Sequence, residues 1–269
     1  IKAEDYEEPV CLLNMKRDNV NPIDTRRFIE KLDEYLGKND YAGAERHLKY
    51  WLMEAKNGND LRGEFSVANE MMGLYRKLGR EAEAIAATEN TLRLIDEIGL
   101  GNEIAGGTAF VNIATVLKAF GKAEKALPYY KRAKEIYEKL LASTDGRLGG
   151  LYNNMALALC DLKEYDKAVS YYEKAIGIME QNENGEQECA ISYLNMANVR
   201  EIQFDSEKAE EYISDYIEKA KKLLDTPTLP QNGYHAFVCE KCAPTFEYYG
   251  YFLYANELKE RAKRIYEGN

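Results

Sequence analysis

A chain of 269 residues with 45% hydrophobic content is long enough to bury a large core, and it contains no run of about 18 apolar residues that would span a membrane. Its net charge of −10 argues against nucleic acid as a partner, because such binding needs a basic stripe to release counterions. Five cysteines, an odd number without framework spacing, suggest reduced thiols and a cytoplasmic protein. The first 22 residues read as an N-terminal extension. Glu4, Asp5, Glu7 and Glu8 are followed by the apolar run Val10-Cys11-Leu12-Leu13, with Pro9 and Pro22 favouring extended backbone. This segment is expected to dock on the rest of the chain: as a plug in its own groove, as a self-association contact with a second copy, or as a cover for the apolar edge of the first helices.

From residue 23 to 267 the pattern is helical and repetitive, and it is read as a single domain. Ala44, Ala84, Ala126, Ala168 and Ala209 recur at steps of 40, 42, 42 and 41 residues, each a few residues after a turn-like break. A fixed step of this size marks units that bury their apolar faces only by stacking on one another. In the segment L-Y-N-N-M-A-L-A-L-C-D-L-K-E-Y-D-K-A-V-S-Y-Y-E-K-A, Tyr152, Met155, Ala156 and Leu159 fall at i, i+3, i+4 and i+7 on one face of a first helix. Ala168, Tyr172 and Ala175 repeat that spacing on a second helix after the Lys163-Glu164-Tyr165 turn. The preceding unit matches at Phe110, Asn112, Ala114, Leu117, Tyr130 and Ala133. Toward the ends the pattern weakens, with Trp51 and Tyr216 where a small residue is usual. A last, degenerate unit spans about residues 234–267, and its Pro244 predicts a first helix that is kinked or that begins there. The glycine clusters at 99–107 and 146–150, and the stretches 182–188 and 226–233, read as loops between units.

Aromatic, small residue, apolar residue, turn, alanine, tyrosine and alanine in this order resemble the tetratricopeptide repeat, in its long variety of about 40–42 residues. HEAT and armadillo repeats share the period but lack the turn–aromatic–alanine order seen at Gly79, Gly121-Lys122 and Tyr165–Ala168. The resemblance covers roughly residues 24–267. It implies an all-α solenoid, a right-handed superhelix of about five to six helix pairs. It also implies a concave surface, lined by the first helix of each pair, that holds extended peptides or helices of partner proteins.

Catalytic chemistry finds little footing. No phosphate-cradling glycine loop, dinucleotide fingerprint, H-E-x-x-H or calcium loop is present, so no enzyme and no cofactor are expected. Of the two histidines, His47 sits beside Arg46 and Lys49 and reads as a surface residue. His235, Cys239 and Cys242 lie at i, i+4 and i+7, a weak candidate for zinc or for redox chemistry. No fourth ligand is visible nearby, and the competing reading is that both thiols fill the core of the last pair.

The groove remains as the candidate site. Asn112, Asn154 and Asn195 occupy equivalent positions in three successive units, one residue after the position that points most directly inward. Asn69 and Asn153 sit at that inward position, and Asn198 lies one turn further along its helix. A carboxamide donates and accepts, so it can grip a peptide backbone whatever the ligand's side chains. Stacked helices lie about 8–10 Å apart and an extended chain rises roughly 3.1–3.3 Å per residue, so the asparagines would meet about every third ligand residue. The alternative is that they bond across to a neighbouring helix. Arg76, Lys77 and Lys118 near the inner ends of two first helices would favour an acidic ligand segment, against Asp33, Asp161, Glu201 and Glu240 on comparable faces. The expected function is a non-catalytic, cytoplasmic scaffold for a protein or extended peptide. The alternatives are a peptide-sensing regulator without its own DNA-binding domain, similar to bacterial peptide-pheromone receptors, and a metal-binding or redox protein acting through His235, Cys239 and Cys242.

Overall fold

The architecture comes from a computed structural model that describes residues 20–268. Among these residues there are twelve α-helices and no strands: α1 (Thr25–Gly37), α2 (Tyr41–Asn57), α3 (Leu61–Lys77), α4 (Glu81–Glu97), α5 (Ile104–Ala119), α6 (Ala123–Leu140), α7 (Gly146–Asp161), α8 (Tyr165–Met179), α9 (Glu186–Gln203), α10 (Ser206–Leu224), α11 (Gly233–Tyr248) and α12 (Phe252–Glu267). They form two compact units. One carries α1–α4 and ends at Gly101; the other carries α5–α12 and begins at Asn102.

Short polar side chains start many of these helices. Asp24, Asp40, Asp60, Asp145, Asp205 and Asn232 each accept a hydrogen bond from a backbone N–H two or three residues on, satisfying one of the donors a helix start leaves open. The turn inside each pair has a common device. Asn39, Gly79, Gly121, Lys163 and Gly250 all adopt left-handed backbone, with φ of 55°, 67°, 72°, 62° and 85°. Each stands five residues before a repeating alanine: Ala44, Ala84, Ala126, Ala168 and Ala255. Glycine takes this conformation without penalty and asparagine tolerates it. The pair α9/α10 departs from the rule, because Phe204 at the same position is extended, with φ −118°.

Just past the turn the alanine enters the contact between the two helices of its pair. Ala44, Ala84, Ala126, Ala168 and Ala255 are fully buried, and Ala209 almost so. The aromatic one turn later fills the space that the small residue leaves, and Tyr130 and Tyr172 are among the largest fully buried side chains. Tyr152, Met155, Ala156 and Leu159 are all buried, as one helix face should be. Consecutive helices pack on one another from α1 to α4 in the first unit, and from α5 to α10 and α11 to α12 in the second. In the second unit the first helices also touch in the series α5–α7–α9–α11.

Several local expectations need correction. The glycines near 107 and 149 do not lie in loops; they fall inside α5 and α7. A Cβ on Gly107 would sit 2.8 Å from the ring of buried Tyr137, and one on Gly149 would sit 2.6 Å from Met179 Sδ. These glycines let the first helix approach the second, which a loop composition rule cannot reveal. Gly107→Ala is expected to cost about 1–3 kcal/mol through overpacking. Gly150→Ala, with open space around it, should gain about 0.5–1 kcal/mol from helix propensity. Urea melts of the two variants check this pair. Pro244 does not begin its helix: α11 starts eleven residues earlier, at Gly233, and runs through the proline. The proline ring is exposed, so the carbonyl it leaves unbonded can be hydrated. His47 is no free surface residue. It is half-buried, stacks on Phe28 with ring centroids 5.9 Å apart, and bonds the Phe28 carbonyl oxygen through Nε2 at 2.9 Å.

At the start of the described chain the backbone lies along the α2–α3 turn. The Asn21 N–H donates to the Gly58 carbonyl at 2.8 Å and the Ile23 N–H to Asp60 Oδ2 at 2.9 Å, while Ile23 packs against the Phe28–Leu32 cluster. Residues 1–19, and with them the expected docking or self-association of the N-terminal segment, lie outside the described residues.

Candidate functional site

The asparagine series belongs to the second unit, on α5, α7 and α9, whose mutual contacts place it along one row of first helices. The row separates into two kinds of position. Asn153 is only 9% exposed, and its Oδ1 accepts from Ser192 Oγ at 3.3 Å, tying α7 to α9. Asn198 Oδ1 accepts from the Tyr249 hydroxyl at 3.0 Å, tying α9 to the end of α11. These two carboxamides bond across to neighbouring helices. Asn112 is half-buried on α5.

Asn154 and Asn195 are different. Both are half-exposed, and neither carboxamide bonds another side chain among the described residues. The buried side-chain polar atoms there that lack a partner are Glu186 Oε2 and Arg200 Nε, so the free groups of Asn154 and Asn195 reach solvent. An amide held on a helix, with two donors and an acceptor open, is ready for an external backbone.

The basic residues divide between the two units. In the first, Arg76 is exposed at the end of α3, while Lys77 Nζ lies 4.9 Å from the centroid of the Tyr41 ring. Asn69, earlier on the same helix, is half-buried and bonds the neighbouring Glu70 carboxyl, which burial pushes above the usual carboxylate range. In the second unit Lys118 Nζ is 3.6 Å from Asp161 Oδ2, so its charge is already answered.

His235, Cys239 and Cys242 are brought together at the α9–α11 contact, and all three are buried. His235 is fully buried. Its Nδ1–H donates to Gln187 Oε1 at 3.0 Å, and its Nε2 lies 3.6 Å from Cys239 Sγ, where it can accept from the thiol. Burial, reinforced by the charge of Arg261, lowers the imidazole's affinity for a proton. Burial also pushes the Cys239 and Cys242 thiols up to about 11 and about 12. The three side chains therefore meet as neutral groups at pH 7, whereas a metal ligand would need thiolates. No group of three His, Cys, Asp or Glu side chains among the described residues is placed to hold a metal ion.

This burial has a pH consequence. Below its ordinary value of 6.5 the unfolded histidine binds a proton that the folded one refuses. Stability contributed here is present above that value and is lost as pH falls from it toward the depressed folded value. Melting temperatures of wild type and His235→Gln between pH 7.5 and 5 should show a shallower acid slope for the variant.

No helix among the described residues is long and apolar enough to cross a membrane. The family model of the tetratricopeptide repeat matches residues 64–139 and 147–222, together more than half of the chain. The chain belongs to the tetratricopeptide repeat family, and its fold is the α-solenoid of helix pairs that this family shares. Solved structures agree at the level of fold. BtubC (BKLC) from P. vanneervenii superposes with a TM-score of 0.56 at 18% identity, covering 86% of this chain and 91% of that one. A Rap protein complexed with Competence and Sporulation Factor gives 0.55 at 15% identity, covering 90% and 74%. The nearly identical TPR-like repeats of a putative kinesin light chain from Podosopora anserina give 0.52 at 16%, covering 74% and 92%. No curated protein matches the chain.

Proposed function

We propose that this protein is a non-catalytic cytoplasmic scaffold that holds an extended peptide segment of a partner along α5, α7 and α9. The observation that carries the reading is the pair Asn154 and Asn195, at equivalent positions on adjacent first helices, with carboxamides that no other side chain engages among the described residues. Two such amides can bond alternate sides of an extended backbone without reading its sequence. Asn153 and Asn198 fix the spacing of the helices beneath them rather than meeting the ligand. The free thiols of Cys160, Cys189, Cys239 and Cys242 fit a reducing compartment.

The ligand's charge is not set by the basic residues of the sequence. Lys118 is paired and Lys77 lies on an aromatic ring, so Arg76 is left as the main support for an acidic segment. A peptide-sensing role would use the same groove with a free peptide as its occupant. The Rap relative of this fold, solved with Competence and Sporulation Factor, favours keeping that second reading. Affinity capture from the source cytoplasm, with wild type against the Asn154→Ala/Asn195→Ala variant, tests the groove. Repeating it on the low-mass fraction of the same lysate separates a peptide from a protein. Equal capture by wild type and variant removes the proposal.

A further inference from the structure

Beside the last asparagine of the row, the second unit holds a cleft of about 710 Å³ between the α9–α10 turn, α10 and the α11–α12 turn. Phe204, Tyr249 and Tyr251 supply aromatic walls, and Glu201, Asp205 and Glu210 supply three carboxylates; no basic residue lines it. Tyr249 joins the cleft to the groove, because its hydroxyl contacts both Asn198 Oδ1 at 3.0 Å and Glu201 Oε2 at 3.1 Å.

The carboxylates are held by neutral donors. Glu201 accepts from the Tyr248 hydroxyl at 3.0 Å and shares the single proton of the Tyr249 hydroxyl, 3.1 Å away, with Asn198 Oδ1. Asp205 caps α10 by accepting from the Lys208 N–H at 3.1 Å. Glu210 is exposed on the first turns of α10. None of the three forms an ion pair among the described residues, although many other surface acids of this chain do. Two cations lie over the Phe204 wall itself. Lys208 Nζ stands 4.2 Å from the Phe204 centroid, and Arg200 lies over the Phe204 and Tyr212 rings at 5.4 and 5.0 Å. Phenol donors orient an anion without neutralising it, so the cleft presents carboxylates beside the Tyr249 and Tyr251 rings, while the Phe204 ring is already engaged by Lys208, Arg200 and Tyr212.

We propose that this cleft binds an arginine side chain of the peptide segment held in the groove. The inference rests on the groove reading for its ligand and supplies that ligand's anchor. A guanidinium suits the site better than an ammonium. It is planar and weakly hydrated, it stacks on aromatic faces, and it offers paired donors to carboxylates. The unit already uses the same contact internally, where Arg200 lies over two rings. A carboxylate side chain at this place would meet like charge. The partner segment therefore carries a basic residue at the α11 end of the groove, not the acidic character suggested by the lysines and arginine alone.

The test uses N-acetyl-arginine amide as probe, with N-acetyl-citrulline amide as its uncharged isostere, titrated into the full chain and followed by amide NMR shifts. Arginine amide should give saturable shifts at Glu210, Tyr249 and Tyr251 in about the millimolar range expected of so small a ligand. Citrulline amide should bind about tenfold more weakly or less, as the loss of a charge-assisted contact implies. Glu210→Gln, at an exposed position with no hydrogen bond or ion pair among the described residues, should weaken arginine binding, and Glu201→Gln, which keeps an acceptor oxygen for one tyrosine and offers its amide N–H to the hydroxyl oxygen of the other, should weaken it further. Equal binding of citrulline, unsaturable shifts scattered over the acidic surface, or unchanged affinity in both variants would overturn the proposal. The probe is too short to span Asn154 and Asn195. Failure here with intact capture dependence on those asparagines removes the arginine anchor alone, whereas probe binding with unaffected capture removes the groove.

Discussion

Tyr172→Ala should destabilise the second unit by about 3–5 kcal/mol, the range for emptying a large aromatic site. Tyr172 is fully buried between α7 and α8 and packs within the cluster that runs from Ala156 to Ala262. Among the described residues its hydroxyl has only a long contact, 3.9 Å to Cys160 Sγ, so the loss comes from packing rather than from a strong hydrogen bond. Repeat stacks propagate stability between neighbours, and a loss of this size is a large share of the roughly 5–15 kcal/mol that a folded domain has to spare. The neighbouring Tyr171→Ala removes a half-buried ring tilted on Tyr152 at 5.6 Å, and the effect there should be clearly smaller. Urea denaturation of both variants reads the difference. A Tyr172→Ala cost within about 1 kcal/mol of Tyr171→Ala would show that the register of the pair is wrong.

The Asn154→Ala/Asn195→Ala variant should lose about 30-fold or more in affinity for the captured partner, because each carboxamide contributes one or two net hydrogen bonds of about 0.5–1.5 kcal/mol. Its thermal stability should stay within about 1 kcal/mol of wild type, since neither side chain bonds another among the described residues. Asn153→Ala is the contrasting variant. It strips the acceptor from buried Ser192 Oγ, so it should lower stability by about 1–3 kcal/mol. If Asn153→Ala and the double variant behave alike in both assays, the division between structural and ligand-facing asparagines fails.

Much of the fold was legible because its signals are local. The alanines that recur about every 41 residues are the buried contacts of their pairs, and Gly79 and Gly121 mark left-handed turns five residues ahead of them. Asn39 and Lys163 make the same turn with less visible residues, and Phe204 shows that a pair can close without it. Glycines misled where composition was read as loop. Gly107 and Gly149 stand within helices, and what makes a side chain unwelcome there is Tyr137 or Met179, about thirty residues away. The surface reading of His47 fails for a similar reason, since Phe28, which stacks on it and accepts its hydrogen bond, lies 19 residues earlier on α1.

The candidate site divides along the same line. The equivalence of Asn112, Asn154 and Asn195 followed from repeat spacing, yet adjacent Asn153 looked just as well placed. Its hydrogen bond to Ser192, 39 residues on, makes it structural. Glu201 read as one acid among several until Tyr248 and Tyr249, nearly fifty residues later, came to hold it at the mouth of an aromatic cleft. By itself the sequence determined the helix pairs, their register and the row of first helices, because 3.6-residue periodicity and a constant repeat length are properties of neighbouring residues. The tertiary structure decided which polar groups are spent inside the protein and which remain open. Hydrogen-bond and charge partners on adjacent helices are set by packing distance, which no spacing along one helix encodes.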